Sequence, residues 1–168
     1  MKASKEFVKR HRGGRNSTTP SRKSAAVQDR KRFRTARTRP LLRWASLSPI
    51  EVVATAKAGL RGRELWQIQQ QARFSNEEWS RYLQVTPRTI QRYRTEETID
   101  SASSERAILM AQIVEQGREV FGTDEKFKIW FHSPSFSLGG IAPNEILDTT
   151  TGMHLVKSEL TRIEYGVF

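Results

Sequence analysis

Apolar residues are sparse at first, with Phe7, Val8, Val27 and Phe33 standing alone among Arg, Lys, Ser and Thr. The pattern turns helical near Ser48-Pro49. Ser48 is placed to cap a helix with Pro49 in its first position and Glu51 completing a capping box, which predicts a helix through Ile50, Val52 and Val53 that stops at Gly59. A second helix is expected over Arg63 to Arg73, with Leu65, Trp66, Ile68 and Ala72 apolar and Trp66 in the core. From Phe74 the signals sharpen. Ser75 and Glu78 form a capping box and Phe74 can staple onto Trp79, giving a helix over 76–83; after Gln84-Val85, Thr86 caps another with Pro87 first and Val85 against Ile90. Two short helices joined by so tight a turn form a helix-turn-helix.

The next helix is long, from Asp100 or Ser101 to Phe121, and its stripe of Ile108, Ala111, Val114 and Phe121 is widened by Ile113 and Val120. Gly117 interrupts it at a cost of about 1 kcal/mol relative to Ala, and Gly122 suits its C-terminus before Thr123 caps a further helix. An aromatic cluster (Phe127, Trp130, Phe131) ends at Pro134, and Gly139-Gly140 and Pro143 punctuate a turn. After Gly152, Met153, Val156, Leu160, Ile163 and Val167 repeat at steps of three and four, a narrow docking seam with Lys157, Glu159 and Glu164 off it. The fold class is all-α: a basic tail over 1–46, a helix-turn-helix domain over 47–122 and a small helical C-terminal domain over 123–168.

Charge divides the chain unevenly. Residues 1–43 hold fifteen Lys and Arg against Glu6 and Asp29, a charge of +13. The whole chain carries +11, so the remainder from Trp44 onward is at −2. The high pI of 10.5 thus belongs to the tail. Ordering its backbone costs about 1–2 kcal/mol per residue, more than its few apolar groups can offset, so the tail is expected to be disordered in isolation. Its functional reading is a polyelectrolyte arm with salt-sensitive nucleic-acid affinity; a solvated linker, a transit peptide and an extension from a start codon placed too far upstream remain alternatives. The absence of cysteine excludes disulfides and thiolate sites. No apolar run approaches the ~20 residues of a membrane span, so a soluble, cytoplasmic protein is expected.

The second helix of the helix-turn-helix carries the clearest chemistry. With Ile90 and Tyr93 turned inward, Arg88 and Arg92 share the opposite face, flanked by Thr89 and Gln91. Arg suits bidentate contact with guanine, Gln with adenine and Thr with phosphate or a thymine methyl. Arg88, Thr89, Gln91 and Arg92 are therefore the expected DNA readers, with Arg94 nearer the backbone. Against this, arginines on a helix are often only solvated, and Glu96, Glu97 and Asp100 would repel phosphate if they faced it. Catalysis has little support. His11, His132 and His154 lack partners at metal-ligand spacing, Gly139-Gly140 is an isolated pair, and Ser133, His132 and Asp148 are a chance combination. No metal, cofactor or enzymatic activity is expected.

Trp130-Phe131 followed by Pro134, then Leu138-Gly139-Gly140 and Pro143, then Gly152 and the closing Val156, Leu160, Arg162-Ile163 and Gly166-Val167 together resemble the C-terminal toxin-binding domain of Xre/MbcA/ParS antitoxins. The resemblance runs upstream through Arg88-Thr89-Ile90-Gln91-Arg92 and covers roughly residues 50 to 168. It implies an antitoxin of a type II toxin-antitoxin pair whose partner is a RES-domain toxin that depletes NAD. It also implies repression of its own operon by binding operator DNA, which a homodimer would suit. Carried onto this chain, the inhibitory surface lies among Trp130, Leu138, Gly139, Gly140, Pro143, Arg162, Tyr165 and Gly166, although burial is an equally good account of Trp130 and Leu138. The rival reading is a free-standing helix-turn-helix regulator whose basic tail supplies non-specific nucleic-acid affinity.

Overall fold

The computed structural model describes residues 40–167. The readings made for residues 1–39, including those of the basic tail, lie outside that range. The described helices are α1 (Pro40–Ala45), α2 (Pro49–Ala58), α3 (Gly62–Ala72), α4 (Asn76–Leu83), α5 (Pro87–Tyr93), α6 (Ser101–Phe121), α7 (Asp124–Phe131) and α8 (Thr150–Glu164), with 3-10 turns at Phe136–Leu138 and Pro143–Glu145 between the last two. Among the described residues there is no strand, only an isolated bridge between Ser135 and Ile141, and no helix long and apolar enough to cross a membrane.

Capping chemistry marks the helix starts much as the sequence predicts. Ser48 and Ser75 form capping boxes with Glu51 and Glu78, while Thr86, Asp100, Thr123 and Thr149 each accept the amide three residues on. The Phe74 and Trp79 rings stack at 6.0 Å, which is the expected staple. Core placement is less local. Trp66 is 45% exposed, because the inward positions of α3 are Leu65, Ile68, Gln69 and Ala72 and Trp66 lies one residue, about 100°, off that stripe.

Helix α6 is the axis of the molecule. Every residue from Ala107 to Glu115 is buried, as expected of a helix packed all round rather than along one stripe. Helices α1, α2, α3, α4, α7 and α8 all lie against it. Residues 40–45, grouped with the tail by composition, form a helix whose Leu41 and Trp44 are 0% and 3% exposed. Flanking arginines dominate a charge count there, whereas burial needs only those two side chains and the wall of α6. Gln112 fixes the arrangement. Its buried amide donates to the carbonyls of Trp44 and Leu47, both at 3.2 Å, and its oxygen accepts from Lys157 Nζ on α8 at 2.5 Å.

Gly117 has a role that its helix propensity hides. A Cβ there would sit 2.2 Å from the Phe127 ring, so its absence lets α7 seat its aromatic edge against α6. Met153, Val156 and Leu160, the heart of the expected seam, are buried against α6. The seam closes this chain on itself, and Val167 at its end is 57% exposed.

Candidate functional site

Two surfaces concentrate the residues singled out by the sequence. The first is built by α4 and α5. Gln84 ends α4 in the left-handed region at φ 57°, and the Val85 amide returns to the Ser80 carbonyl at 3.0 Å. That tight reversal brings α5 into contact with α4. Ile90 and Tyr93 are buried at 1% and 4% exposure and hold α5 to the body, while Arg88, Gln91, Arg92 and Arg94 are exposed and Thr89 is half-buried. Thr86, Arg88, Thr89, Gln91 and Arg92 line one shallow surface depression. Arg94 is drawn aside, its guanidinium 3.3 Å from Asn76 Oδ1 at the start of α4.

The acidic residues after α5 separate into different roles. Glu96 forms an ion pair with Arg92 at 2.8 Å, so in the free protein one candidate reader is held by a carboxylate on the same surface. Asp100 is turned to structure: it caps α6, accepting the Ser103 amide at 2.8 Å and the Tyr93 hydroxyl. Burial works to raise the Asp100 carboxyl, but hydrogen bonds from Tyr93 and Ser103 outweigh it and hold its pKa below the ordinary carboxylate value. Burial, reinforced by the bond to that carboxylate, pushes the Tyr93 phenol upward. The end of α5 is locked from a second side. The Gly62 amide donates to the Glu96 carbonyl at 3.1 Å, and a Cβ on Gly62 would lie 1.7 Å from the Tyr93 carbonyl oxygen.

The second surface lies beyond α7. Of the eight residues that the resemblance pointed to, three turn partly or wholly inward. Trp130 is half-buried with its ring 5.3 Å from Phe121 and 6.1 Å from Phe127, Leu138 packs against the core, and Pro143 is buried at the start of a 3-10 turn. Gly139, Gly140, Arg162, Tyr165 and Gly166 are exposed. Gly139 and Gly140 have φ of 73° and 82°, and this left-handed pair closes a compact loop from Ser135 to Ile141. Glu159 ties the loop to α8, bonding the Ser137 hydroxyl and pairing with Arg162 at 3.5 Å.

Sequence reasoning missed the apolar members of this surface. Phe136 is 100% exposed, Leu155 52% and Ile141 42%. Leu155 was legible as the residue beside the stripe of Met153 and Val156. Phe136 was not, since an aromatic next to a glycine pair reads equally well as core.

The two surfaces belong to one compact unit and are joined by hydrogen bonds. Arg81 on α4 donates to the Asn144 carbonyl at 3.2 Å, and Arg106 on α6 bridges the carbonyls of Asp148 at 2.9 Å and Tyr82 at 3.4 Å.

Family comparison assigns both parts. Residues 51–112 match the antitoxin Xre-like helix-turn-helix domain, and residues 116–166 match the antitoxin Xre/MbcA/ParS C-terminal toxin-binding domain. No curated protein matches the chain. The first match spans α2 to the middle of α6 and the second carries on to the end of α8, so the two describe successive parts of the helical body, and the chain belongs to the Xre/MbcA/ParS antitoxins of toxin-antitoxin systems.

Proposed function

We propose that the chain neutralises a RES-domain toxin that depletes NAD and represses its own operon through α5. The observation that carries the reading is the succession of an Xre-like helix-turn-helix and a toxin-binding domain in one helical body. In this reading Arg88, Thr89, Gln91 and Arg92 reach base edges, Arg94 serves the phosphate backbone, and the basic residues preceding α1 add salt-sensitive affinity. Operators with two-fold symmetry are met by a dimer, whose α5 helices then enter successive major grooves. At the other end, Gly139, Gly140, Arg162, Tyr165 and Gly166 lie on the surface that covers the toxin's active site.

The test is to co-express the chain with the product of the adjacent gene, purify the pair and assay NAD consumption before and after the two are separated. Activity that appears only on separation supports neutralisation. A separated partner that leaves NAD untouched refutes the RES-domain assignment. Failure to form a pair, together with salt-sensitive retention of nucleic acid, supports the free-standing regulator instead. Removal of residues 1–39 distinguishes the readings further. It should leave neutralisation intact, and in a free-standing regulator it should abolish function.

A further inference from the structure

Nine large apolar side chains are exposed among the described residues, and six of them lie between Ile129 and Val167. Phe136 stands out among these because no part of its surface is covered. It is also held in place. The Ser135 amide donates to the Ile141 carbonyl at 3.2 Å, and the amides of Leu138 and Gly140 return to the Ser135 carbonyl at 3.1 and 2.9 Å. The Gly139 amide closes on Phe136 itself at 3.0 Å. Leu138, two residues on, is sunk against the core, and Ser137 is bonded to both Ser135 and Glu159. A bare aromatic ring on a loop so thoroughly tied gains nothing for the fold. It has the properties of a preorganised anchor, large and costing little entropy to immobilise.

We infer that Phe136 is the principal anchor for the toxin, inserted into an apolar recess of that partner, with Leu155 and Ile141 beside it and the Glu159–Ser137 bond keeping the loop in its binding shape. This rests on the toxin-neutralisation reading. The occupant is the toxin rather than a second copy because the loop lies within the segment that matches a toxin-binding domain and is bonded directly to the helix bearing Arg162. With Trp130 and Pro143 turned inward, Phe136 is the most exposed of the large apolar side chains among the described residues, ahead of Tyr165 at 75%.

The test uses the full chain and the separately purified product of the adjacent gene, with affinity measured by titration calorimetry. Phe136→Ala should melt with the wild type, since the side chain is fully exposed, yet bind about 30-fold or more weakly, the loss of a buried aromatic hot spot. Ser137→Ala, which frees the loop from Glu159, should weaken binding by about three- to tenfold through lost preorganisation. Ile50→Ala, an exposed apolar site on α2, should change it less than about twofold. Wild-type binding with Phe136→Ala within about threefold of it would overturn the anchor and leave neutralisation standing. No binding by the wild type would remove both. A variant that keeps its toxin affinity but loses self-association would assign the ring to a homodimer instead.

Discussion

Gly117 sets a propensity argument and a packing argument in open conflict, so Gly117→Ala decides between them. Judged by propensity alone, the change should stabilise α6 by about 1 kcal/mol. The structure reverses the sign. A Cβ at this position would stand 2.2, 2.3 and 2.9 Å from three atoms of the Phe127 ring, and that ring is 4% exposed. Phe121, Trp130 and Phe131 surround it with centroids at 6.4, 6.1 and 5.2 Å, so it cannot swing clear. A small cavity lined by Val114, Phe127 and Phe131 lets it yield a little. Overpacking of a core costs about 1–3 kcal/mol, and an approach this close belongs at the upper end. After the propensity gain is subtracted, the net expectation is a loss of about 2 kcal/mol, or roughly 6–10 °C in Tm for a body of this size. Urea denaturation followed by circular dichroism measures it. Phe127→Leu supplies the control: with the outer ring atoms gone, Gly117→Ala in that background should be neutral or stabilising by up to about 1 kcal/mol. A Gly117→Ala protein as stable as the wild type, or more so, would refute the argument that this glycine exists to admit α7.

Glu96→Gln frees Arg92 from its 2.8 Å ion pair and removes a negative charge beside the proposed DNA-reading face, so operator affinity measured by gel shift should rise about two- to fivefold. Arg92→Ala should cost about 1–3 kcal/mol at one base position. Gln112→Leu leaves two carbonyls and the Lys157 ammonium without their present partner, and at about 1–3 kcal/mol for each buried group abandoned it should destabilise the fold by about 3 kcal/mol in denaturant titration. The depressed pKa of Asp100 gives stability that is fully present above the unfolded carboxylate value of about 3.9 and is lost as pH falls through the lower folded value. The Tm advantage of wild type over Asp100→Asn should therefore be constant from neutral pH to about pH 5 and shrink in stronger acid; an advantage that grew on acidification would contradict the hydrogen bonding assigned to Tyr93 and Ser103.

What the sequence determined by itself was local. Helix starts at Ser48, Ser75, Thr86 and Asp100 depend on one side chain meeting an amide three residues away, and the helix-turn-helix depends on two such caps and the Phe74–Trp79 staple. The outward direction of Arg88, Gln91 and Arg92 follows from the same short-range periodicity once Ile90 and Tyr93 turn inward. Residues far apart in the chain met only through the tertiary structure. It recruited Leu41 and Trp44 from the edge of a basic segment, turned Trp66 outward and Trp130 partly inward, and made Gly117 a space for Phe127 rather than a flaw in a helix. It also left Phe136 bare. Composition and spacing record which residues can be buried, and only the packing of α6 against its six neighbouring helices decides which ones are.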